Sequence, residues 1–182
     1  MDQSSNERSS NRRDFFKQAS AVVIGGLSAS IPIAAGIPVV LDPLRRKSEV
    51  GGPIRVASLE AVPPDGVPRK FTLVADKSDA WNYYANVPVG AIYLRRLEAN
   101  KIEALNVVCP HAGCFVDYVP ARNGFFCPCH NSTFKLDGTI AEPKSPSPRA
   151  MDSLPVEIRN GNEVWVKFQN FRAGLREKVP VA

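Results

Sequence analysis

The residues able to do chemistry are crowded into one stretch, Cys109 to Phe134, which reads CPHAGC, then an apolar arm and a turn, then CPCHNSTF. All four cysteines and both histidines of the 182-residue chain lie within it. Cys109 and His111 stand one residue apart, Cys127 and His130 enclose two more, and fifteen residues separate His111 from Cys127. Each pair can offer one thiolate and one imidazole. Together they make four soft-to-intermediate ligands, a set that suits zinc or an iron–sulfur centre. Cys114 and Cys129 are left over, one beside each pair. A structural zinc ribbon needs no second cysteine in each box and no CPCH run, so zinc is the plainer and poorer explanation.

The two boxes resemble those of the Rieske iron–sulfur proteins, subunits of cytochrome bc-type quinol:cytochrome c oxidoreductases. In such centres two histidines replace two cysteines on one iron, which raises the reduction potential. The resemblance implies one [2Fe-2S] cluster per chain, with Cys109 and Cys127 on the inner iron and His111 and His130 on the outer, exposed one. It also implies a disulfide between Cys114 and Cys129 that ties the two loops together. The function it implies is that of an electron carrier, an oxidoreductase only as part of its complex. An electron comes from quinol, a proton leaves through His130, and the electron passes to a c-type cytochrome, with cytochrome b as a further partner. An alternative that keeps the same centre is the small subunit of a periplasmic molybdoenzyme such as arsenite oxidase. A soluble dioxygenase ferredoxin is disfavoured by the second cysteine in each box.

Departures from the family pattern carry information. High-potential members continue the second box with glycine, serine, one residue and then tyrosine, and both hydroxyls donate hydrogen bonds to sulfur. Here Asn131 stands at the glycine, Ser132 is kept, and Phe134 stands at the tyrosine. A missing donor withdraws stabilisation from the more negative reduced state, so the expected potential lies below the ubiquinol-type range and suits menaquinol. Ala112 replaces a leucine that usually shields the cluster, next to Gly113 of the same box. Further on, Pro146 and Pro148 match in position a proline loop that the family packs beside the cluster as a third wall.

The elements that must deliver and hold this site read as follows. Residues 1–18 are polar and end in Asn11-Arg12-Arg13-Asp14-Phe15-Phe16-Lys17, which resembles a twin-arginine export signal through Arg12 and Arg13. That route moves folded proteins, as a protein carrying a cluster requires. Residues 19–41 are uncharged, and at ~1.5 Å per residue they are long enough to cross a hydrocarbon core of ~30 Å. Gly25, Gly26, Pro32, Gly36 and Pro38 make that helix soft or kinked. Ser28-Ala29-Ser30 is small enough to be a cleavage site, but the apolar run continues beyond it and the family keeps this segment as a single-pass anchor. The expected location is the bacterial cytoplasmic membrane, with the soluble domain on the periplasmic or extracytoplasmic side. Arg45-Arg46-Lys47 after the span opposes that orientation by charge alone. Residues 42–53, with Pro43 and Gly51-Gly52, read as a linker, and in the family as a hinge.

From residue 54 to 182 the chain alternates short β-prone runs with turns: Arg55 to Ser58, Lys70 to Ala75, Ala91 to Leu97, Ile102 to Val108, and a hairpin around Asn160-Gly161. The expected fold class is all-β, an antiparallel sandwich with one N-terminal transmembrane helix, and the resemblance implies that it is Rieske-type, with an inserted two-loop cluster-binding subdomain at about 108–148. The formal net charge of +5 is spread among nearly as many acids, with no basic stripe interleaved with aromatics. No nucleic-acid partner is expected.

Overall fold

The computed structural model describes residues 12–45, 52–78, 82–98 and 101–181. The chain divides into two units, Met1–Lys47 and Ser48–Ala182. In the first, helix α1 spans Arg12–Arg45. Its stretch Arg12–Asp42 is long and apolar enough to cross a membrane. Side chains such as Val22, Ile24, Ile31 and Val40 are more than half exposed. An apolar helix without a protein partner for its side chains is the pattern expected where lipid is the solvent.

The helix continues through Pro32, Pro38 and Pro43, each of which removes one backbone donor without ending the element. It also takes in Arg12 and Arg13 as its first turn and passes the expected end at Leu41 by four residues. The Ser-rich start of the chain, the bulk of the linker and Gly51 lie outside the described residues.

Among its described residues the second unit has ten strands: β1 (Ile54–Ser58), β2 (Arg69–Ser78), β3 (Tyr83–Glu98), β4 (Lys101–Asn106), β5 (Asp117–Val119), β6 (Gly124–Cys127), β7 (Ser132–Lys135), β8 (Ser153–Leu154), β9 (Val156–Arg159) and β10 (Glu163–Val166). They form three antiparallel sheets, ordered β1-β10-β9, β2-β3-β4-β8 and β5-β6-β7. The β9–β10 turn is the expected one, with Asn160 and Gly161 both at positive φ, as a tight hairpin of right-handed twist requires.

The insertion is plain in the pairing. Ala104 and Leu105 of β4 face Leu154 and Ser153 of β8, so the whole third sheet is spliced between two neighbouring strands. Two apolar cores result. Val62, Leu73, Ile92, Leu94, Val164 and Val166 fill the base. Leu105, Val107, Val116, Phe125, Phe134 and Met151 fill the inserted part, together with Cys109 and Cys127. Tyr93 of β3 joins the two halves: its hydroxyl donates to the Val116 carbonyl and accepts from the Tyr118 N–H, and its ring lies 4.9 Å from that of Phe125.

Candidate metal centre

The first ligand loop leaves β4 and returns at Phe115, closed by the bridge between Val108 and Phe115. The Cys109 N–H donates to the Cys114 carbonyl at 2.7 Å and the Gly113 N–H to the Cys109 carbonyl at 2.9 Å. Such a tight return needs one left-handed residue, and Gly113, at φ +81°, supplies it without a Cβ clash. The second loop, residues 128–131, joins β6 to β7. Asn131 there has φ +60°, which explains why asparagine can stand where the family has glycine: among residues with a side chain it enters this region readily.

The loops bring the predicted residues together. Cys114 and Cys129 form a disulfide, with Cα atoms 6.5 Å apart. Cys109 and Cys127 are free thiols, 0% and 1% exposed. The imidazoles of His111 and His130 lie edge to face with centroids 4.9 Å apart, His111 half-buried and His130 exposed. The sulfurs of Cys114, Cys127 and Cys129 lie within 4.8 Å of one another, but two of these are joined and cannot ligate a metal as thiolates. The cluster of sulfurs therefore marks the disulfide as the immediate neighbour of the Cys127 thiol.

Electrostatics at the sulfurs point the same way. Burial pushes the Cys127 thiol up, while the backbone N–H groups of Cys129 and His130 are directed at it and oppose that rise. A buried thiolate needs such donors or a cation. Among the described residues three further buried atoms lack a hydrogen-bond partner: His111 Nδ1, Ser132 Oγ and Thr133 Oγ1. Leaving such groups unsatisfied costs ~1–3 kcal/mol each, and a group bound between the loops would give His111 Nδ1 and Ser132 Oγ a partner. Two thiols, two imidazoles and an idle hydroxyl fit a [2Fe-2S] cluster with mixed ligation.

Ser132 and Phe134 share one face of β7, and Phe134 is 1% exposed within the same core as the two free cysteines. The proline loop is tied to this strand from behind: Thr133 N–H donates to Ser145 Oγ at 3.2 Å, and Ala141 N–H to the Thr133 carbonyl. Pro146 is exposed and Pro148 half-buried. Residues with no sequence signature also brace the insertion: Tyr93 ties β3 to Val116 and Tyr118, and Asn106 Oδ1 accepts the Val108 N–H at the start of the first loop. A tyrosine in a strand and an asparagine after one look ordinary until their partners are known.

Fold and site together define a β-protein with a two-loop Cys/His iron–sulfur centre. Residues 53–157, more than half of the chain, match the Rieske [2Fe-2S] domain, and the chain belongs to that family. It is 29% identical over 161 residues to a menaquinol:cytochrome c reductase iron-sulfur subunit of Geobacillus thermodenitrificans, covering 87% of this chain and 92% of the relative. It is 30% identical over 139 residues to a cytochrome b6-f complex iron-sulfur subunit of Chlorobaculum thiosulfatiphilum, covering 75% and 66%. Among solved structures it is similar to the cyanobacterial plasma membrane Rieske protein PetC3 from Synechocystis PCC 6803, with a TM-score of 0.45 and 22% identity over 63% of this chain and 99% of that one.

Proposed function

We propose that this chain is the [2Fe-2S] electron-transfer subunit of a membrane quinol:cytochrome c oxidoreductase, fed by a quinol of the menaquinol type and delivering to a c-type cytochrome beside cytochrome b. The observation that carries the reading is the pairing of two buried free thiols with two imidazoles on disulfide-linked loops. Similarity along most of the chain to a menaquinol:cytochrome c reductase subunit supports the quinol and the complex, and favours this reading over a molybdoenzyme subunit.

Cys109 and Cys127 would hold one iron, and His111 and His130 the other. When bound, the cluster supplies a one-electron acceptor whose potential is raised by histidine ligation. His130, the exposed imidazole, accepts a hydrogen bond from a quinol hydroxyl and holds the proton the quinol gives up. His111 stands nearer the electron exit. Ser132 Oγ donates to sulfur and favours the more negative redox state, whereas Phe134 can donate nothing. Pro146 and Pro148 shield the site's flank, and the disulfide keeps the loops in register.

Helix α1 supports a retained single-pass anchor, and Arg12 and Arg13 at its start support export of the folded domain by the twin-arginine route. The N-terminus then stays in the cytoplasm and residues 54–182 face the periplasmic side, with residues 42–53 as hinge and 108–148 as the cluster-binding subdomain. Mild detergent extraction from native membranes tests the assignment. Co-elution with b- and c-type haem, and reduction of the c haem by menaquinol, are expected; co-elution with a large molybdenum protein and no haem b would overturn it.

A further inference from the structure

The C-terminal segment, residues 168–181, lies beyond the 53–157 that match the family and contributes only the isolated bridge between Phe171 and Pro180. It is nonetheless held at several points: Lys178 Nζ donates to the Ser153 carbonyl and Phe168 lies in the base core, while other fastenings reach the first ligand loop. The Gly174 N–H donates to the carbonyl of Pro110 at 2.8 Å, the peptide that leads directly into His111. Gly174 has φ +78°, and a Cβ there would lie 3.7 Å from the His111 carbonyl, so the two backbones run side by side.

Two buried side chains hold this segment against the loop. Asn106, 1% exposed, is a three-way clasp at the end of β4. Its amide donates to the Gln169 carbonyl and to Asn170 Oδ1, both at 3.0 Å. Its own Oδ1 accepts from the Val108 N–H at 2.9 Å, one residue before Cys109. Arg149 follows the proline loop and pairs with Asp152, their side chains only 10% and 6% exposed. The same guanidinium donates to the carbonyls of Leu175 at 2.5 Å and Arg172 at 3.1 Å, one residue after Gly174 and two before it. The ring closes on itself, because the Asn106 N–H donates to the Asp152 carbonyl at 2.8 Å.

A fastening used only for stability could grip the segment anywhere. This one brackets, from Arg172 to Leu175, the residue whose N–H meets the ligand loop, and it starts from the residue that also caps the amide next to Cys109. We infer that residues 168–181 form a positioning strap: Arg149 and Asn106 hold it so that Gly174 fixes the Pro110–His111 peptide, and with it the setting of the His111 imidazole toward the cluster. Arg149, Asn106 and Gly174 are positioning residues that touch no reacting atom. The inference rests on the electron-carrier reading above.

Two variants of the full-length, detergent-solubilised protein test it. Ending the chain after Ala173 removes the Gly174 donor and the Leu175 acceptor, together with the Val179 and Val181 bonds to Arg172, Asn170 and Gln169, but keeps both partners of the Asn106 clasp and of the Arg149–Asp152 pair. Arg149→Lys keeps a cation against Asp152 but loses the planar fork that reaches both carbonyls. In both, the g-values of the reduced-cluster EPR signal should move, the midpoint potential should be displaced, and cluster release should be about tenfold faster, as when outer-shell partners are lost. Unchanged g-values and an unchanged midpoint in either variant that holds its cluster would overturn the strap. Should the shortened chain take up no cluster, Arg149→Lys decides by the same criterion. Failure of the electron-carrier reading looks different, because the intact chain itself would then give no Rieske-type signal.

Discussion

Ser132 and Phe134 are neighbours on one face of a four-residue strand, and they make opposite demands on the site. The buried Ser132 hydroxyl has no protein partner, so folding alone gives no reason to keep it. Ser132→Ala should therefore leave the thermal midpoint of the cluster-free protein unchanged or slightly raised, while lowering the reduction potential of the loaded one. A structural hydroxyl would show the reverse. Phe134→Tyr should raise the potential, provided the added hydroxyl reaches sulfur from this buried position. A hydrogen bond to a charged group is worth ~1.5–3 kcal/mol, and only the difference between redox states counts. With ~59 mV per tenfold in a one-electron couple, the expected shift is on the order of tens of millivolts, read by redox titration. An unchanged or lower value would remove the explanation offered here for a menaquinol-range potential.

Loops and turns carry the next level of stability. The disulfide closes a separation of 15 residues, for which constraint of the unfolded chain is worth about 3 kcal/mol. It also lies against the Cys127 thiol, so its loss should be felt twice. Cys114→Ser should lower the unfolding free energy by that order and accelerate cluster loss, as followed by the decay of visible absorbance. Full stability of the bound cluster in the variant would leave the bridge a fold constraint alone. Behind the ligand strand, Asp137 accepts hydrogen bonds from the Thr139 hydroxyl and N–H, which hold its carboxyl below its ordinary 3.8. Its folded value lies below its unfolded one, so its contribution is complete above the unfolded value and is lost as pH falls toward the folded value. Thermal midpoints should drop below about pH 4, and Asp137→Asn should flatten that acid limb.

Across the whole molecule, chemistry was far easier to read in the sequence than support. Candidate ligands announce themselves through residue type and spacing, so the two boxes were legible, as were the Asn160-Gly161 hairpin and an apolar helix of membrane-spanning length, whereas the insertion followed from the family resemblance alone. The second half of the β2–β3 hairpin was not. Asp76 receives the Tyr83 hydroxyl and the Asn86 N–H there, and Pro88 sits beside a register shift, so the strand breaks the alternation by which strands are recognised. Strand β7 was hidden inside the ligand motif itself, and the C-terminal strap is held by carbonyls, which every residue has. Arg149 gives no sign in the sequence that it will be buried against Asp152.

For the proposed proton-coupled [2Fe-2S] centre ligated by Cys109, Cys127, His111 and His130, the decisive experiment is an EPR-monitored redox titration of the purified full-length protein from about pH 6 to about pH 10. The expected result is a Rieske-type signal whose midpoint lies below the ubiquinol range and falls as pH rises, as gain of a proton together with the electron requires. A midpoint flat across that range would contradict the proton-coupled role of His130, and a colourless, EPR-silent protein containing zinc would contradict the electron-transfer function itself.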